Sequence, residues 1–353
     1  MRRVIFLIIL VCQLSLTTHA QSDTGSTKDP QAQTTQPPPI TKDVEVAFTG
    51  SWAGKARCDA DGNVYLRLLN PESAQRGQRQ DMVPIRKVSP NGKLAASFRV
   101  TDAADLAPDL GAVAFFAAND GRVYLAARAG SQRALYVLVF SNSGSLESKV
   151  NLDTEYFTPY QIGTFKNGNF LLSGIRGPSN RTPFSAIFSP KGELVKKVYE
   201  PEDEDARKRA EAGEANFRPD HMDYGNNFIV HGDVAIASDG NAYLLRAASP
   251  ALVYVISPLG DLLRKIQIAS PEFGLAAQSI KAAQGKLAIS FLGNHSNLGV
   301  IQEVDLQGNP VSSYTSSDQR TYPGLLGCYG PNGFTFIGSD DQQRMHLYTS
   351  QLK

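Results

Sequence analysis

Little in this chain announces chemistry. Tryptophan occurs once, cysteine three times and histidine five times in 353 residues. There is no His-Glu-x-x-His helix and no paired-cysteine spacing, which excludes the common zinc motifs. No Gly-x-Ser-x-Gly elbow or Gly-rich phosphate loop is present, which removes hydrolases and nucleotide binders of those types. An excess of either charge is missing too. The 35 Lys and Arg residues face 34 Asp and Glu residues. That balance argues against a protein that coats nucleic acid or an anionic membrane.

Long apolar runs are confined to the N-terminus. Arg2 and Arg3 precede an apolar stretch from Val4 to Leu16, and Thr18-His19-Ala20 is an acceptable cleavage site. The stretch is shorter than the roughly 20 residues a spanning helix needs. Val11 stands before Cys12 where a lipobox wants Gly, Ala or Ser. Residues 1–20 are therefore read as a cleaved signal peptide, and the mature protein as secreted or periplasmic with no transmembrane segment. Residues 21–42 are rich in Ser, Thr, Gln and Pro and include Pro37-Pro38-Pro39. They read as a disordered tether, because such a segment cannot bury enough apolar surface to order itself.

Two turn signals alternate through the rest. The first is Asp61-Gly62-Asn63, Asp120-Gly121-Arg122, Asn167-Gly168-Asn169, Asp239-Gly240-Asn241, Gln284-Gly285-Lys286 and Asn332-Gly333. The second is Ser89-Pro90-Asn91-Gly92, Ser141-Asn142-Ser143-Gly144, Ser189-Pro190-Lys191-Gly192, Ser257-Pro258-Leu259-Gly260 and Asp305-Leu306-Gln307-Gly308. Two hairpin turns per unit of roughly 40–50 residues is the signature of a propeller blade. The expectation is an all-β fold: residues 43–353 form one six-bladed β-propeller of four-stranded antiparallel blades.

In the second unit, residues 111–118, 122–129, 134–141 and 145–152 read as inner, second, third and outer strands. In the fourth they are 234–237, 242–246, 252–257 and 261–268. The β-branched and aromatic content supports strands. Both glycine turns then lie on one face of the disc, and the variable connections lie on the other, here called the loop face. The sixth unit ends one strand short. Residues 44–48 (Val-Glu-Val-Ala-Phe) are expected to complete it and leave no open edge. Cys58 and Cys328 fall late in the inner strands of blades one and six, neighbours across that closure. Export favours a disulfide between them; two buried thiols acting as small apolar groups is the other reading. Residues 200–215 form the one insertion, with i,i+4 pairs Asp203–Arg207, Glu204–Lys208 and Asp205–Arg209. They read as a charged surface helix, or as a docking element or lid over the loop face.

Asp239-Gly240-Asn241-Ala242-Tyr243-Leu244 and Tyr254-Val255-Ile256-Ser257-Pro258-Leu259-Gly260 carry a resemblance to the NHL-like and TolB-like six-bladed propellers, which extends over residues 44–353. It implies a fold and no reaction. The Ala-Asp-x-x-Asn-x-Arg stretch of NHL blades is missing. Gluconolactonase-like and regucalcin-like enzymes share the architecture and hold a divalent metal in the channel, but their ligand motifs are not visible here.

Candidate site residues follow from position. Arg67, Arg128, Arg176 and Arg246 lie near the ends of second strands, and Arg181 follows shortly after Arg176. They are expected to rim the loop face as anion receptors, against the ordinary reading of arginines covering apolar surface. Tyr156, Tyr160, Tyr224 and Tyr322 are read as lying in the adjacent fourth-to-inner connections and are expected as stacking surfaces. His221, Asp223 and His231 are the weak metal candidates. The reading is a monomeric, non-catalytic binding or scaffold propeller without a cofactor, docking a protein, peptide or glycan and no nucleic acid. The alternative is a metal-assisted lactonase or lyase with calcium or zinc in the channel.

Overall fold

The computed structural model describes residues 34–35, 39–49, 51–69, 79–130, 134–154, 156–177, 182–198, 232–246, 250–293, 299–316, 318–342 and 344–351. The expected signal peptide, most of the tether, the 200–215 insertion, Arg181, Tyr224, His221, Asp223 and His231 lie outside the described residues.

Six antiparallel sheets form the expected propeller. From channel to rim, blade one is Ser51–Cys58, Val64–Leu69, Ile85–Val88 and Leu94–Phe98. Blade two is Leu110–Ala117, Val123–Ala129, Ala134–Phe140 and Leu146–Asn151. Blade three is Phe157–Thr164, Phe170–Arg176, Thr182–Phe188 and Leu194–Lys197. Blade four is Gly232–Ile236, Ala242–Arg246, Ala251–Ile256 and Leu262–Ile268. Blade five is Leu275–Ala283, Lys286–Gly293, Gly299–Asp305 and Pro310–Ser316. Blade six is Leu326–Gly330, Gly333–Ser339, Arg344–Ser350 and, as its outer strand, Ile40–Thr49. The inner strands touch in sequence, and the sixth touches the first.

The closing strand is longer than the expected 44–48. It starts at Ile40, opposite Ser350, and runs to Thr49, opposite Arg344. Further upstream, Thr34–Thr35 pairs in parallel with the outer strand of blade five. The chain thus adheres to the outer edge of two blades before entering the first. Cys58 and Cys328 are joined as a disulfide, with Cα atoms 5.4 Å apart.

The repeated turns have a common chemistry. Ser257 Oγ accepts from the N–H groups of Leu259 (3.2 Å) and Asp261 (3.0 Å). Asp305 does the same with Oδ1 for Gln307 (2.9 Å) and Asn309 (2.8 Å), so an Asp substitutes for Ser in blade five. In the first turn of blade four, Tyr243 OH donates to Asp239 Oδ2 at 2.9 Å. Tyr65 OH donates likewise to Asp59 Oδ2 at 2.8 Å in blade one. In blades one and four the tyrosine of the x-Tyr-Leu strand therefore locks the turn before it.

The second-turn glycines also set the spacing between blades. Gly192, at φ +90, brings its backbone so close to the outer strand of blade two that a Cβ would lie 1.9 Å from Asn151 O. At Gly92, φ +80, a Cβ would lie 2.3 Å from Glu45 O of the closing strand. Only glycine fits both the left-handed conformation and that approach.

Core packing lies between blades. Side chains alternate across a strand, so consecutive residues enter different layers. Ala242 and Leu244 pack with Leu171 and Ile187 of blade three. Tyr243 and Leu245 pack with Ile289 and Phe291 of blade five. This explains why the strand reads as a continuous apolar run. Between blades five and six the layer includes a buried carboxylate. Glu303 accepts from Tyr329 OH at 2.5 Å, from Tyr314 OH at 3.1 Å and from Ser312 Oγ.

Candidate functional site in the channel and on the loop face

The inner strands place the chemistry. Five of the six carry a register shift against their second strand: at Ala53/Arg57, Ala112/Ala114, Pro159/Gln161, Ala277/Ser279 and Leu326/Cys328. Bulges bend a strand and re-aim its side chains, and they recur beside sites. Within this ring, polar and charged side chains from four blades converge.

Asp233 of blade four is fully buried. Its Oδ1 lies 2.7 Å from Arg57 Nη1 and 3.7 Å from Lys55 Nζ, both of blade one, and accepts from the Val234 N–H at 2.9 Å. Its Oδ2 accepts from the Ile280 N–H at 3.0 Å and lies 3.7 Å from Lys281 Nζ of blade five. Lys281 Nζ donates to Ala56 O at 2.8 Å. The Gly232 carbonyl, at the loop-face end of blade four's inner strand, accepts from Lys55 Nζ and from Gln161 Nε2 of blade three. The group therefore staples blades one, three, four and five across the channel.

Three cations meet one carboxylate here, and little water reaches them. The side chains of Arg57 and Lys281 are 7% and 8% exposed, while that of Lys55 is 35% exposed. Burial pushes the Lys281 ammonium down to about 7; Asp233 opposes that shift, and Arg57 and Lys55 add to it. Burial also lowers Lys55, again against Asp233. For Asp233, burial favours the neutral acid. Arg57, Lys55, Lys281 and the Ile280 N–H outweigh it and hold the carboxyl well below the usual range. Arg57 Nε and Gln161 Oε1 are buried without a hydrogen-bond partner among the described residues.

The described arginines expected at the rim do share a register. Arg67 stands opposite Ala53, Arg128 opposite Gly111, Arg176 opposite Phe157 and Arg246 opposite Gly232. All four therefore flank the loop-face ends of the inner strands of blades one to four. At the corresponding register blade five carries Leu292 and Gly293, opposite Ala276 and Leu275, and blade six carries Phe336, opposite Leu326, so the rim is an arc. Arg128 Nη1 donates to Thr158 Oγ1 at 2.5 Å across to blade three. The Arg176 guanidinium lies over the Phe184 ring, 5.0 Å from its centroid. Arg67 is half-buried; burial lowers its pKa and Asp81 offsets part of that shift.

The tyrosines divide. Tyr156, at φ 53, precedes blade three's inner strand beside Arg176, and its carbonyl accepts from the Gly177 N–H at 3.0 Å. Tyr160 lies not in the expected connection but within blade three's inner strand, in the bulge next to Gln161, and is 39% exposed. These two join Arg128 and Arg176 at the blade-two to blade-three sector. Tyr322 lies apart, between short helical turns at Gln319–Thr321 and Pro323–Leu325.

The channel group was missed by sequence reasoning. Its one signal is a charged residue inside an inner strand whose neighbours are small or apolar: Lys55-Ala56-Arg57, Asp233-Val234 and Ile280-Lys281-Ala282. A divalent ion needs several hard oxygen donors. The donor set described at this point of the channel is cationic and holds one carboxylate already engaged by three cations, so it does not fit such an ion. Among the described residues no group of three or more His, Cys, Asp or Glu could hold a metal, and no helix is long and apolar enough to cross a membrane.

No family model matches the chain, and no curated protein matches it in sequence. Among solved structures, a protein of unknown function from Bacteroides caccae is similar with a TM-score of 0.44 and 11% identity, over 76% of this chain and 88% of that one. The PQQ-bound aldose sugar dehydrogenase of Streptomyces coelicolor is similar with a TM-score of 0.43 and 10% identity, over 88% of this chain and 98% of that one.

Proposed function

We propose that the chain is an exported, non-catalytic binding propeller of the NHL-like or TolB-like kind. It acts as a monomer, and its loop face takes acidic groups of a protein, peptide or glycan. The observation that carries this reading is the shared register of Arg67, Arg128, Arg176 and Arg246 on four consecutive blades. Guanidinium groups receive carboxylates and sulfates in a planar, two-pronged geometry. Tyr156 and Tyr160 lie in the same sector and suit the apolar face of a sugar ring or a peptide side chain. Export accords with the N-terminal segment and with the disulfide.

The test is an array of acidic and neutral oligosaccharides and peptides, probed with the protein and with an Arg128→Glu/Arg246→Glu variant. Binding to acidic members only, weakened by salt and lost in the variant, is the expected result. Binding that prefers neutral or basic members, or that survives the charge reversal, overturns it.

A further inference from the structure

The channel group has an unbalanced charge. Three side chains that are cationic at slightly acid pH face a single carboxylate among the described residues, and Arg57, Lys281 and Asp233 are almost fully removed from water while Lys55 is partly exposed. A buried surplus of one sign is costly unless a counter-charge neutralises it. Asp233 cannot supply more, because both of its oxygens are already committed to cations and to the Val234 and Ile280 N–H groups. Lys55 and Lys281 each place one N–H on a backbone carbonyl and have further donors to offer. Arg57 Nε is buried with no acceptor among the described residues.

We propose that Lys55, Arg57, Lys281 and Gln161 form a receptor for one small oxyanion, a phosphate or a carboxylate, in the central channel, entered past the Lys55 side chain. The donors are of the kind that recognises such groups, a guanidinium and two ammoniums with a carboxamide. Lys55 is the member that meets solvent. The groups facing Lys281 are Asp233 from blade four and Lys55 and Arg57 from blade one. An anion among them favours the charged form of Lys281, so binding brings a proton with it and tightens as pH falls. This receptor is separate from the loop-face arc, whose arginines it does not use.

Calorimetry with inorganic phosphate and with acetate tests it, on the whole protein at about pH 6 and about pH 8, in two buffers of different ionisation enthalpy. One equivalent of either anion is expected to bind, more tightly at the lower pH, with net proton uptake at the higher. The anion that titrates identifies the source. Lys55→Met, at the half-exposed member, is expected to weaken binding by about tenfold or more, and Arg57→Gln by at least as much. Arg128→Glu, on blade two and outside the channel group, is expected to leave it unchanged, so that a failure of the loop-face reading does not touch this one. The absence of heat and of any rise in melting temperature with about 20 mM of either anion overturns the proposal. So does binding that Lys55→Met leaves intact.

Discussion

At the scale of single residues, Asp233 is the centre of the molecule's electrostatics. Removing its charge leaves Arg57, Lys55 and Lys281 facing one another without a partner. Breaking a buried ion pair from one side costs about 3–5 kcal/mol, and Asp233→Asn is expected to fall in that range by urea denaturation. A loss below about 1 kcal/mol would mean that water reaches the group. Lys281 makes a second prediction, in pH. It titrates at about 7 in the folded protein against 10.5 ordinarily. Between those values the unfolded chain holds more protons than the folded one, so stability rises with pH across the window. The slope for one such group is at most about 1.4 kcal/mol per pH unit. Lys281→Met should flatten it. None of these residues was legible as a site, for a physical reason. Each is one charge inside one strand, and Arg57, Gln161, Asp233 and Lys281 lie tens of residues apart. Only ring closure brings them together. The rim arginines were legible because each falls five to eight residues after a turn that itself repeats.

At the scale of the element, the turns carried nearly all that could be read in advance. Gly240 and Gly260 bracket the two middle strands of blade four, and its second strand, Ala242–Arg246, runs over the residues the turn spacing predicts. What escaped notice is why the second glycine of each blade is a glycine. A positive φ is half the reason. The other half is contact with the preceding blade: Asn151 O for Gly192, Ser97 O for Gly144 and the Ile266 side chain for Gly308. A sequence shows the turn but not the neighbour it presses on. Gly285 separates the two effects, since it has φ +72 and nothing within 4 Å of a built Cβ. Gly285→Ala should cost about 1 kcal/mol, the penalty of the left-handed conformation alone. Gly192→Ala adds a clash with backbone and should cost at least about 2 kcal/mol more. Equal melting temperatures for the two variants would remove the spacing argument.

At the scale of the whole molecule, everything depends on one seam. Blades one and six are far apart in the chain, and three devices hold them together. The closing strand Ile40–Thr49 pairs with Arg344–Ser350 at the rim. The Ala47 N–H donates to Gly92 O, at 3.2 Å, fastening that strand to blade one. The disulfide fastens the channel side, where it spans 270 residues of sequence. By loop-closure entropy a cross-link of that length contributes roughly 5 kcal/mol, mostly by restricting the unfolded chain. The two ends of the seam therefore act differently. Cys58→Ser/Cys328→Ser should lower the denaturation midpoint substantially while leaving the β-rich circular dichroism of the folded protein unchanged, because the strand still closes the ring. Deleting residues 1–49 removes the strand and exposes the edge of Arg344–Ser350, which invites pairing between molecules. That variant should aggregate or fail to fold even with the disulfide available. A folded, monomeric protein lacking residues 1–49 would show that the cross-link and the inner-strand contacts suffice, and that the longer-than-expected closing strand serves something other than closure.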